Sequence, residues 1–182
     1  HVVGASMGGM IAQIFAAKHP DRVRSLGIIF SSTNQAFLPP PKQAALKPLT
    51  TGPGKKADEA AIIAHSVHFM RVINGPGFPL SDDELRAMAE SFYRRSYYPA
   101  GVVRQFNAVL GTGSLRPFSK TIRKPTVVIH GSADPLVRPA CGRAVARAIP
   151  NSRYVEIKGM GHDLPPGVWE PIVHSLVVNM KR

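Results

Sequence analysis

A short β-branched run, Val2-Val3, passes straight into Gly4-Ala5-Ser6-Met7-Gly8, and an apolar helical pattern through Ile11, Ile14 and Phe15 follows without a break. Strand, tight turn and helix in that order strongly restrict the fold. The backbone must reverse sharply at Ser6, and a serine so placed projects from the end of a sheet, where it is a candidate nucleophile. Side chains beside such a turn are expected to collide with the strained backbone, which accounts for Gly4 and Gly8 as the elbow glycines. The helix behind the turn aims unpaired N–H groups and the positive end of its dipole at the same spot. The Met7 N–H is therefore the natural first donor to an oxyanion. The same residues also suit a glycine-rich turn without chemistry, so the remainder of the chain has to separate the two readings.

After the elbow helix, His19-Pro20-Asp21-Arg22 stops the pattern, and Val23 to Phe30 is a mostly apolar run that reads as a buried strand. Strand, helix and strand within about thirty residues imply a parallel βαβ unit. No acid stands at the end of this second strand. From Gln35 to Lys56, Pro39, Pro40, Pro41, Pro48 and Pro53 with Gly52 and Gly54 predict an irregular, extended linker. Three helical patterns follow, over 57–73, 81–97 and 99–110, the second opened by Ser81 and Glu84 at capping-box spacing. They return no strand, so they read as a helical cap inserted over the sheet edge. Phe69, Met70, Phe92, Tyr93 and Phe106 line a substrate cavity in that reading, although aromatics at helical spacing also serve plain packing.

The alternation resumes with a strand over 125–130 and the turn Gly131-Ser132-Ala133-Asp134-Pro135. A helix over 139–149, a strand over 153–157, the loop Lys158-Gly159-Met160-Gly161-His162-Asp163 and a last helix over 168–180 complete the chain. The expected division is a first core segment 1–34, a cap 35–115 and a second core segment 116–182. In parallel α/β sheets, ligands bind beyond the carboxyl ends of the strands, so groups that follow strands converge despite long sequence separations. Ser6, Asp134 and His162 all do so. Their order differs from those of chymotrypsin-like and subtilisin-like proteases. His162 is then the candidate general base and Asp134 the candidate acid that orients it, with Asp163 and Glu156 as rival acids and His130 as rival histidine.

The residues exclude several other functions. No run of 18 apolar residues exists in 182, so no transmembrane segment is expected. The net charge of +12 comes from 23 Lys and Arg against 11 Asp and Glu, dispersed without a nucleic-acid motif, so no specific nucleic-acid partner is implied. His65 and His68 share a helix face but have no third ligand at metal-binding spacing, which leaves no metal site. Cys141 is the single cysteine, so an intrachain disulfide is impossible and nothing requires an oxidising compartment. It falls in what reads as a surface helix, with no evident activating partner, and is assigned a structural role.

Three stretches, Val3 to Met10, His130 to Val137 and Gly159 to Pro165, together resemble serine hydrolases of the α/β-hydrolase fold. The resemblance is closest to the esterase and lipase group that includes aclacinomycin methylesterase-like proteins. It runs the length of the chain, and Ser6 stands where dehalogenases and many epoxide hydrolases carry aspartate. It implies an α/β fold with a parallel sheet flanked by helices and an inserted helical cap. It also implies hydrolysis of a carboxylic ester or thioester of a small molecule through an acyl-serine intermediate, with no metal or organic cofactor. The family pattern places four strands and a second oxyanion donor before the elbow. The chain is therefore expected to be the carboxyl-terminal portion of a longer hydrolase, its amino-terminal strands missing. The alternative is a hydrolase fold that binds a small molecule or partner without catalysis.

Overall fold

A computed structural model describes residues 1–54 and 56–182, leaving Lys55 of the expected linker outside the described residues. Strand β1 (Val2–Ala5) runs through Ser6 into helix α1 (Met7–Lys18), and a short 3-10 turn at Pro20–Arg22 leads back to β2 (Leu26–Ile29). Between β2 and the next strand lie α2 (Gln43–Thr51), α3 (Glu59–Ile73), α4 (Asp82–Arg95), α5 (Pro99–Thr112) and the single turn α6 (Arg116–Ser119). The chain continues through β3 (Thr126–Gly131), α7 (Pro139–Ala148), β4 (Arg153–Ile157) and α8 (Trp169–Met180). All strand pairs are parallel and the order is β1-β2-β3-β4.

Alternation along β2 and β3 distributes the core over two faces. Leu26, Ile28 and Val128 join Ala12 and Ala16 of α1 and Val145 of α7 in one cluster. Ile29, Val127 and Ile129 join Val168 and Ile172 in the other. The register pairs Ile28 with Val128 and Ile29 with Ile129, so β-branched side chains meet across the ladder on both faces. Both strands are buried along their length, which is why they read as continuous apolar runs. Helix α1 approaches the sheet closely because its buried positions Gly9, Ala12, Gln13 and Ala16 are mostly small and fall on one face.

Two elements depart from the expectations. β2 is shorter than the apolar run 23–30: Phe30 takes φ 36, which no strand tolerates, and the Ser25 carbonyl accepts from Val2 N–H at the sheet's entry. The segment expected to be an irregular linker contains α2. Its Ala44-Ala45-Leu46 stretch favours helix, and Ala45 is fully buried. Pro48 sits inside the helix, and its carbonyl is hydrogen-bonded to His65 Nε2 of α3 at 2.8 Å. α4 opens with the expected capping box, in which Ser81 N–H donates to Glu84 Oε2 at 2.8 Å and the Glu84 N–H donates back to Ser81 Oγ. α5 buries none of its residues, and the Asn34 side chain tethers it by donating to the carbonyls of Val109 and Gly113.

Candidate active site

Ser6 is the cap residue between β1 and α1 and has φ 52 and ψ −120, a conformation that costs a non-glycine residue on the order of 1–3 kcal/mol. The surroundings hold it there. Ser6 N–H donates to the Ile29 carbonyl at 2.9 Å, while the Ser6 carbonyl accepts from Gly9 N–H and from Ser31 Oγ at 2.7 Å. A Cβ on Gly4 would collide with the Gly8 carbonyl, so glycine is required at that position. The collision expected at Gly8 does not occur: an added Cβ there meets nothing within 4 Å, because it points out of the first turn of α1 into open space. Gly9 is the second tight position, where a Cβ would lie 2.6 Å from Ser31 Cβ. Gly9 and Met10 N–H groups are taken by the Ser6 carbonyl, whereas those of Met7 and Gly8 have no acceptor among the described residues.

His162 and Asp134 reach the same point from the ends of β4 and β3. The Asp134 turn is closed by its own carboxylate, whose Oδ1 accepts from Leu136 N–H at 2.9 Å and Val137 N–H at 2.8 Å. Its Oδ2 lies 2.7 Å from His162 Nδ1, and His162 Nε2 lies 3.0 Å from Ser6 Oγ. An ionised carboxylate only accepts, so Nδ1 carries the imidazole proton and Nε2 presents a lone pair to the serine hydroxyl. The two side chains are 7% and 0% exposed for His162 and Asp134, a setting in which charge interactions are little screened. Burial raises the Asp134 carboxyl, but hydrogen bonds and charge from His130 and His162 outweigh it and hold the group below the ordinary carboxylate value.

The rivals are occupied elsewhere. Asn74 Nδ2 donates to Asp163 Oδ2 at 2.6 Å, and burial raises this carboxyl above its ordinary value. Glu156 accepts from Arg143 at 2.7 Å and from the Tyr154 hydroxyl at 2.9 Å. His130 faces Val137 and Asp134 from beneath and does not approach the serine. Cys141 lies on the inner face of α7, not on a surface, and burial pushes its thiol up, away from the reactive thiolate form. No group of three metal-ligating side chains occurs among the described residues, His65 and His68 included.

The His162 loop is stitched to the end of α3, a contact without a sequence signal. His162 N–H donates to the Ile73 carbonyl at 2.9 Å and Gly77 N–H to the Gly159 carbonyl at 3.0 Å. Backbone passes backbone so closely that a Cβ on Gly75, Gly131 or Gly161 would strike main-chain atoms of the facing segment. Phe30 packs its ring 4.4 Å from that of His162. Beyond Ile73, a cavity of about 600 Å³ opens between α2, α3, α4 and α5. Phe69, Met70, Phe92 and Tyr93 line this cavity, joined by Tyr97 and Tyr98, while Phe106 is not among its walls. A smaller cleft of about 300 Å³ lies between α1 and α5, beside Met7, Met10 and Ile14. Among the described residues no helix is long and apolar enough to cross a membrane.

Comparison with known proteins agrees with this architecture. Over its whole length the chain is 28% identical to rhodomycin D methylesterase of Streptomyces peucetius, covering 66% of that protein. Over 84% of its length it is 32% identical to the poly(3-hydroxyalkanoate) depolymerase of Ectopseudomonas oleovorans, covering 51% of it. Among solved structures, the meta-cleavage product hydrolase of Pseudomonas fluorescens superposes with TM-score 0.71 at 17% identity, over 100% of this chain and 64% of that one. The enol-lactonase of Burkholderia xenovorans gives 0.70 at 21% identity, over 99% and 65%. The chain thus spans about two thirds or less of the length of each of these proteins, and the two structural likenesses are likenesses of fold. The family described as alpha/beta hydrolase fold matches residues 1–165, and the chain, with its parallel sheet and flanking helices, belongs to that family.

Proposed function

We propose that the protein hydrolyses carboxylic esters or thioesters through an acyl-serine intermediate, with Ser6 as nucleophile, His162 as general base and Asp134 as the acid that orients it. One observation carries this reading: the continuous relay from Asp134 Oδ2 to His162 Nδ1 and from His162 Nε2 to Ser6 Oγ, at 2.7 and 3.0 Å. In it, Ser6 Oγ attacks the acyl carbon as its proton passes to His162 Nε2, and the imidazolium formed is stabilised by the Asp134 carboxylate. The tetrahedral oxyanion meets the Met7 N–H and the amino end of α1. Collapse expels the alcohol or thiol with the proton held by His162. Water, deprotonated by the same nitrogen, then releases the acid and restores Ser6.

The helices α2 to α5, within residues 35–115, are the cap in this reading, and segments 1–34 and 116–182 are the core. Among the described residues the wall of the cavity between these helices contains no Lys, Arg, Asp or Glu, and none of Ser6, Asp134 and His162 lines it; it would suit an apolar, uncharged part of a substrate. The names of two relatives, a methylesterase and a polyester depolymerase, point to the same bond type. A fluorophosphonate probe is expected to label Ser6 in the purified protein, and Ser6→Ala to abolish labelling and lower ester turnover by about a millionfold, as in a serine protease. Unchanged turnover of p-nitrophenyl esters in that variant overturns the reading. Ligand-induced stabilisation without turnover in the native protein would establish a binding role instead.

A further inference from the structure

One buried titratable side chain takes no part in the relay. His130 is the fifth residue of β3, and its ring is fully buried. Its Nε2 lies 2.8 Å from the Val137 carbonyl. A carbonyl only accepts, so Nε2 carries the proton. The same nitrogen is 3.5 Å from Asp134 Oδ2, the oxygen that faces His162. Nδ1 has no polar partner among the described residues and rests against Gly142 of α7, where any Cβ would run into the ring. The imidazole is thus wedged in one orientation and one tautomer.

What the ring holds is the turn that holds the acid. Leu136 and Val137 N–H groups grip Asp134 Oδ1, and the carbonyl of the same Val137 is gripped by His130. A carboxylate pinned on one oxygen can rotate only as far as the backbone of that residue allows. We propose that His130 is a positioning residue of the relay: by fixing the Asp134–Val137 turn it sets the carboxylate in the orientation that meets His162 Nδ1. The proposal rests on the hydrolytic reading of Ser6, His162 and Asp134. The other titratable or charged groups around this pair are His162 itself, Asp163 of the same loop, and Cys141 and Arg138 at the start of α7.

The test compares His130→Phe, which fills the space without a donor, with His130→Gln, whose amide nitrogen occupies the position of Nε2. Turnover is normalised to sites titrated by the fluorophosphonate probe, so loss of folded protein does not count. His130→Phe is expected to lower kcat by about a hundredfold with little change in KM, the scale of a misplaced catalytic group, whereas His130→Gln recovers most of it. The acid limb of the kcat/KM profile should also move to lower pH in His130→Phe. A carboxylate that has drifted from His162 Nδ1 stabilises the imidazolium less. Gly142→Ala, which displaces the ring without removing its donor, is the second variant and should move the same limb. Wild-type kcat per titrated site in His130→Phe, or equal losses in His130→Phe and His130→Gln with an unmoved limb, overturns the proposal. Turnover that survives Ser6→Ala overturns the hydrolytic reading itself, a separate outcome.

Discussion

At the level of single residues, the identity of the acid makes the sharpest prediction. Asp134→Asn removes the charge that faces His162 Nδ1, and turnover should fall by about ten-thousandfold, as when the corresponding carboxylate is neutralised in a serine protease. Asp163→Asn should stay within a few-fold of wild type, because that carboxylate faces Asn74. Steady-state kinetics with a chromogenic ester decides between them, and the reverse ranking would assign the acid to Asp163. The Asp134 carboxyl is also held below its ordinary value, so its contribution to stability is present above the unfolded carboxylate pKa of about 4 and lost as pH falls through the lower folded value. Urea midpoints of wild type and Asp134→Asn should therefore converge as pH falls below about 4; a gap that widens on acidification would contradict the sign. The elbow glycines give a second contrast. Gly4→Ala should destabilise by about 1–3 kcal/mol or more through its clash with the Gly8 carbonyl, whereas Gly8→Ala should stabilise by about 0.5–1 kcal/mol as an unobstructed helical alanine.

Between elements, polar groups do the joining where apolar packing alone would leave the orientation loose. Gln13 of α1 is fully buried, and its amide donates to the Gly9 and Ser32 carbonyls at 3.1 Å while accepting from Ser119 Oγ of α6 at 2.9 Å. It fixes the elbow helix against the end of β2 and against the turn that leads into β3. Replacing it by alanine leaves the Ser32 carbonyl without its Gln13 donor and opens a void, at a cost of about 2–4 kcal/mol, while the Ser119 hydroxyl keeps the Leu115 carbonyl. Chemical denaturation measures this directly, and a loss below about 0.5 kcal/mol would mean that the network contributes nothing net. Asn179 of α8 plays a comparable part, donating to the carbonyls of Leu26 and Pro125 at 3.2 Å where β2 and β3 begin.

Across the molecule, one edge of the sheet is flanked by exposed apolar side chains. β1 lies at one edge of the order β1-β2-β3-β4, and Val3, Ile11 and Phe15 around it are 45, 57 and 37% exposed. An edge strand with exposed apolar neighbours is a template for pairing with another chain. Residues 1 to 182 are therefore expected to self-associate as concentration rises, and Val3→Lys, which places a charge on that edge, to reduce the effect. Light scattering coupled to size exclusion reads both, and an association unaltered by Val3→Lys would locate the contact on another surface.

Local chemistry in the sequence determined most of the elements and the chain positions of the candidate site. β-branched runs bounded by Gly and Pro placed the strands, the Ser81 and Glu84 pair placed the start of α4, and the strand-end positions of Ser6, Asp134 and His162 marked them before any contact was known. These signals are legible because each depends on residues within a few positions of one another. The tertiary structure decided what depends on distant partners. α2 forms in a proline-rich stretch because Ala45 is buried there, and Gly9 in place of Gly8 is the second tight glycine because Ser31 lies opposite it. Asp134 faces His162 while Asp163 turns to Asn74. His130 leaves the serine and secures the turn behind the acid because β3, the Val137 carbonyl and Gly142 enclose its ring, and no spacing in the sequence encodes an enclosure.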